Sequence, residues 1–118
     1  MDYYELLDRI IDEGIAAAKA DYVEGPKLEG SIEGFEACRG KSPRSLKALL
    51  EQAFAETRNA IIENVAEEDY WRIRCYEAEI EWVCNCVSVV LMTEGKPVIV
   101  QPTAQTAIRV SSIVAEAI

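Results

Sequence analysis

A chain of 118 residues carrying 21 acidic and 12 basic side chains, net charge -9, is a poor general partner for DNA or RNA, because each surplus carboxylate repels the phosphate backbone. Four cysteines at 38, 75, 84 and 86, with no histidine and no Cys-x-x-Cys pair, do not make a zinc site. Neither a basic apolar leader nor an apolar run near the roughly 18 residues of a membrane span is present, so one soluble, cytoplasmic domain is expected.

In chain order, residues 2 to about 22 predict an amphipathic helix. Tyr3, Leu6, Leu7, Ile10, Gly14, Ala17 and Ala18 recur at helical spacing, with Asp2, Glu5, Asp8 and Asp12 outside. Its second half, Gly14, Ala16, Ala17, Ala18 and Ala20, is small enough for another backbone to approach, although alanine is also simply the best helix former. From Glu24 to Ser42 the periodicity breaks at Gly25, Pro26, Gly30, Gly34 and Gly40. The segment reads as a glycine-rich functional loop of about 18 residues, with strand-like pieces around Leu28 to Ile32 left open.

Ser42 then caps a helix with Pro43 at its first position and Leu46, Leu49, Leu50, Ala53, Phe54, Thr57, Ile61 and Val65 as its buried face, ending near Ala66. A short break makes it an antiparallel hairpin with the next helix, Asp69 to Gly95, which has Asp69 as its N-cap. That long central helix carries two apolar stripes: Trp71, Cys75, Ala78, Trp82, Asn85 and Val89 on one side, Ile73, Tyr76, Ile80, Cys84, Val87 and Leu91 on the other. A helix apolar on both sides must be covered on both sides, and in so short a chain the second cover is expected from another subunit. Cys84 and Cys86 lie about 200° apart on it, so the cysteines read as reduced and buried. Lys96 to Gln101 is extended between Pro97 and Pro102. A last helix from Pro102 places Thr103, Thr106, Arg109 and Ser112 on a polar face. The fold class is therefore all-α, about four helices around a long central one, assembled as at least a dimer through the first and central helices.

Gly40-Lys41-Ser42 resembles the end of a phosphate-binding loop, but the glycine spacing is one too long, no strand precedes it and proline follows. What survives is a helix N-terminus with Arg39, Lys41 and Arg44 around it, a candidate small-anion site whose plain alternative is a solvated basic turn. No nucleophile, histidine base or metal cluster stands out, so an enzyme is not expected, and no cofactor is implied. Trp71, Trp82, Tyr76 and Phe35 are candidate stacking surfaces for a base, against core packing as the ordinary role of aromatics at helical spacing. Arg109, with Thr106, would form a ring of donors if the last helices pack about a symmetry axis.

The segments Leu28-Glu29-Gly30-Ser31-Ile32-Glu33-Gly34-Phe35-Glu36-Ala37-Cys38-Arg39-Gly40-Lys41 and Glu79-Ile80-Glu81-Trp82-Val83-Cys84-Asn85, with Pro97-Val98-Ile99-Val100 and Pro102-Thr103-Ala104 after them, resemble small prophage proteins of the type 1 Thoeris anti-defence group. The resemblance implies a viral sponge, a hexamer built as a trimer of dimers, that sequesters cyclic ADP-ribose signals, and in some members cyclic oligonucleotides, without cleaving them. ADP-ribose-type ligands would lie between protomers and cyclic trinucleotides at three-fold positions. On that expectation Phe35 and Trp82 stack on bases, Arg39, Lys41 and Arg58 meet phosphates, Asn85 reads a ring or ribose edge, and Thr106 with Arg109 lines a second site. The alternative is an acidic helical inhibitor that covers a basic host protein with Asp2, Glu5, Asp8, Asp12 and Glu13.

Overall fold

The structure, a computed structural model, describes the backbone of residues 2–93 and side chains as far as Ser88. The expected extended segment and last helix, with Thr106 and Arg109, lie outside the described residues. Four helices follow one another: α1 (Tyr3–Asp21), α2 (Pro26–Ala37), α3 (Pro43–Glu63) and α4 (Glu67–Thr93). The described residues are all-helical, without a strand. None of these helices is long and apolar enough to cross a membrane.

Local chemistry sets the helix ends. The Asp2 carboxylate accepts the Glu5 backbone N–H at 2.9 Å, and the Ser42 hydroxyl accepts that of Ser45 at 3.2 Å, each satisfying a donor with no partner inside its helix. Pro43 follows the Ser42 cap as the sequence predicts. Asn64 ends α3 in the left-handed conformation (φ 53°, ψ 52°), one of the few residue types besides glycine that adopts it readily. The central helix begins two residues earlier than expected. Glu67, Glu68 and Asp69 fill its first turn, where negative charge faces the positive end of the helix dipole, so Asp69 is inside the helix rather than its cap.

The main departure is α2. The segment expected to be an irregular, glycine-rich loop is helical from Pro26 to Ala37. Gly30 and Gly34 are one turn apart on a single face, and that face lies directly on the α4 backbone. A Cβ on Gly30 would collide with the Arg72 carbonyl, and one on Gly34 would stand 2.6 Å from the Tyr76 carbonyl oxygen. Glycine costs about 1 kcal/mol in an isolated helix, which is why the sequence reads as broken; here its missing side chain is what permits the contact. The pairs Gly30 with Arg72 and Gly34 with Tyr76 advance together, so α2 and α4 run parallel.

On α3 the order reverses: the Cys84 thiol donates to the Leu46 carbonyl at 3.7 Å, while Thr57 lies beside Glu77, giving the expected antiparallel hairpin. The helix with two apolar stripes is therefore covered by α2 on one side and α3 on the other, within one chain. The second cover expected from another subunit is supplied over this part of α4 by the segment misread as a loop. Leu7, Ile11, Phe35, Leu46, Leu50, Ile80, Val83, Cys84 and Val87 form the core. All four cysteines are unbridged, and Cys38, Cys84 and Cys86 are buried.

Candidate functional site

Where α1 crosses α2 and α4, a small-residue stretch of α1 leaves room beside the other two helices. Phe35 projects from the α2 face next to Gly34, and its ring takes the place a side chain at Gly14 would occupy. The ring is only 2% exposed and meets Trp82 edge-to-face, centroids 5.8 Å apart and planes at 88°. Trp82 is half-buried and turns part of its indole into a cleft of about 200 Å³ lined by Gly14, Ala17, Ala18, Asp21, Tyr22, Ser31, Phe35 and Glu79.

The polar rim is unusual. Burial pushes the Glu79 carboxyl up to about 7, with the Asp21 charge adding to the shift, so near neutral pH it exchanges between hydrogen-bond acceptor and donor. Burial likewise raises the Tyr22 phenol, helped by Cys75, Glu79 and Asp21, so it remains a neutral O–H. Ser31 is 2% exposed and hydrogen-bonds Cys75, whose thiol burial pushes up. The cleft thus offers an apolar floor, one aromatic wall and a set of polar groups with adjustable proton positions.

Asp21 and Tyr22 also border a wider cleft of about 470 Å³ formed with Val23, Glu24, Pro26, Lys27, Glu67, Glu68 and Trp71. There the Lys27 ammonium lies 4.4 Å from the centroid of the Trp71 ring. Trp71 and Trp82 are three turns apart on one stripe of α4, roughly 16 Å. The two clefts share Asp21 and Tyr22 as lining residues, and each has a tryptophan in its wall; together they are called the groove. A ligand pocket for a drug-sized molecule usually holds about 300 to 1,000 Å³, so the inner cleft alone admits a single ring system and the groove as a whole a longer molecule.

The residues expected to form a site are only partly brought together. Phe35 and Trp82 meet, but Phe35 is a support behind Trp82 rather than a stacking surface, because its faces are packed in the core. Asn85 lies one turn beyond Trp82, 8% exposed, and its Oδ1 has no hydrogen-bond partner among the described residues. Arg39 is not free for a phosphate. Its guanidinium binds Glu36 at 2.9 Å, Asp12 at 2.9 Å and Asp8 at 3.2 Å, clasping the end of α2 to α1, and Glu36 and then Asp12 hold its pKa above the usual value. Lys41 is exposed at the start of α3, where its carbonyl accepts the Tyr3 hydroxyl at 3.0 Å. Arg58 is also exposed, but roughly 24 Å farther along α3 than Ser42, so Lys41 and Arg58 of one chain do not converge on one phosphate.

Ser31, Tyr22 and Glu79 are the site residues the sequence reading missed. Ser31 was hidden by the loop assignment, and Tyr22 stands just past the last turn of α1. Glu79 sits on the flank of the tryptophan stripe, where a carboxylate ordinarily faces water; packing against α1 and Gly34 of α2 buries it. No family model, curated protein or solved structure matches the chain.

Proposed function

We propose that the protein binds and holds a cyclic ADP-ribose-type signal, without cleaving it, as a sponge against a host defence system. The observation that supports this reading best is the inner cleft, in which the half-buried Trp82 indole, backed by Phe35, faces Ser31, Tyr22 and Glu79. A purine presents one flat face and an edge of donors and acceptors, and those are the features this cleft complements. Sequestration requires enclosure and complementary contacts rather than an activated nucleophile. The inner cleft has room for one ring, so the remainder of the ligand extends along the groove or against another subunit. The groove carries Asp21, Glu24, Glu67, Glu68 and Glu79 against Lys27, so the pyrophosphate must find its positive charge elsewhere. In the assembly implied by the family resemblance, Lys41 and Arg109 of neighbouring copies are candidate cations, and Thr106 with Arg109 forms a second site at the three-fold axis.

The test is incubation of the protein with cyclic ADP-ribose isomers, followed by heat release and chromatography. Intact ligand recovered from the protein, and lost with Trp82→Ala, is the expected result. A cleaved product would make the protein an enzyme, and no depletion of ligand at micromolar protein would refute binding altogether. The alternative acidic inhibitor is weakened by the clasp on Arg39, which engages two of its five carboxylates, Asp8 and Asp12.

A further inference from the structure

Three of the largest exposed apolar side chains in the described residues lie on one flank of α3: Phe54 at 42%, Ile61 at 62% and Ile62 at 73% exposure. Phe54 and Ile61, which the sequence places on the buried face of this helix, are outside the core, and none of the three lines the groove. Seven and eight residues separate Phe54 from the isoleucines, two helical turns, so the three share one side of the helix. Clustered apolar surface of this kind marks an interaction face, whereas single exposed apolar residues do not.

The charges within the stripe indicate what covers it. Glu51 precedes Phe54 by three residues and Arg58 follows it by four, both exposed on the same side, and neither takes part in an ion pair among the described residues. A two-fold axis beside Phe54, perpendicular to α3, sets a second α3 antiparallel to the first. Residue numbers facing each other across such an axis have a constant sum. With Phe54 against position 55 that sum is about 109, which is also the sum of 51 and 58. Each Glu51 then faces the Arg58 of the other copy, twice over, with the two Phe54 rings between them; on the outer turns Ile61 falls opposite Ala48, and Ile62 opposite the aliphatic stem of Lys47, whose ammonium reaches solvent. Opposite charges at equal distances on either side of the midpoint between positions 54 and 55 make the stripe complementary to itself, and a two-fold interface requires that property.

We infer that the Phe54 face of α3 is a homodimer interface, in which two α3 helices pack antiparallel and exchange Glu51–Arg58 ion pairs. This is a different surface from the α1 and α4 faces that the sequence suggests, and it does not depend on the ligand reading.

Light scattering on a gel-filtered dilution series tests it with the full chain. All the substituted positions are exposed, and helical circular dichroism checks that each variant is folded. The wild type is expected to form a species of even copy number. Arg58→Glu and Phe54→Ser should each lower its mass, and Glu51→Arg combined with Arg58→Glu should restore it, since the double reversal recreates the pairs with their signs exchanged. Arg58→Lys adds a positional readout. Carbodiimide treatment of mixed light and heavy isotope-labelled chains should give conjugates between positions 51 and 58 that carry one label of each kind. A wild type that stays monomeric across the series would overturn the inference. So would single variants of unchanged mass, a double reversal no better than Arg58→Glu, or conjugates carrying one label only.

Discussion

Replacing Glu79 by glutamine keeps the shape of the cleft and removes its one group that titrates near neutrality. Burial raises this carboxyl from 4.5 to about 7 in the folded protein, with Asp21 contributing. Between those values the folded chain holds a proton that the unfolded chain has released, so raising the pH favours unfolding. The contribution of Glu79 to stability is full below pH 4.5 and lost as the pH rises through about 7. At 1.36 kcal/mol per unit the shift corresponds to about 3 kcal/mol, or about 2 kcal/mol after allowing for screening at a side chain that is not fully buried. Glu79→Gln does not titrate. The stability of the variant minus that of the wild type, from urea unfolding, should therefore grow by about 2 kcal/mol between pH 4.5 and pH 8. A difference that stays constant across the range would mean that Glu79 titrates as an exposed carboxylate and that the rim is not desolvated. The same proton governs an anionic ligand: binding near Trp82 should tighten on moving from pH 8 to pH 6, and the variant should lose that dependence.

Gly30→Ala should destabilise the fold by about 2 kcal/mol or more, because its methyl meets the Arg72 carbonyl, while Gly40→Ala, with open space around it but φ at 73°, should cost about 1 kcal/mol; thermal melts compare them. Removing the clasp with Arg39→Gln should cost about 1 kcal/mol at low salt and less in high salt, since the guanidinium and its three partners are partly solvated. Thiol labelling of the native protein should modify Cys75 first, because burial pushes both Cys38 and Cys84 up to about 12 and closes them to reagent. Asn64→Gly should stabilise by a few tenths of a kcal/mol up to about 1, relieving the left-handed cap; urea midpoints would register it.

Much of the fold was legible because three helices advertise themselves conventionally. The capping pair Ser42 and Pro43, the apolar repeat from Tyr3 to Ala18 and the charge-free stretch after Trp82 each satisfy a local rule, and those rules hold in the structure. Gly30 and Gly34 mislead for a physical reason: propensity scores the isolated helix, in which glycine is a cost, whereas the benefit exists only when α4 lies against it. The same reversal propagates to the site. Once α2 is a helix, Phe35 turns inward and becomes a prop for Trp82, and Ser31 enters the cleft. Arg39 follows the opposite course: its positive neighbourhood in sequence suggests an anion site, but folding brings three carboxylates to it from two helices. Trp82, by contrast, sits on a stripe that is readable from the helical period alone, and it lines the inner cleft.

The glycine contact between α2 and α4 has a mechanical consequence. Two helices that touch backbone to backbone have no rotamers between them to rearrange, so their separation does not respond to side-chain motion nearby. The pair is a fixed rail, and the width of the groove is set by α1, which is held by side-chain packing of Leu7 and Ile11 in the core, by a ring seated in the notch at Gly14 and by salt-sensitive ion pairs at Arg39. Amide hydrogens along the middle of α1 should therefore exchange faster than those between Ile73 and Glu81, and raising the ionic strength should widen that gap. A change in the width of the groove would then require displacement of α1 against the α2–α4 pair.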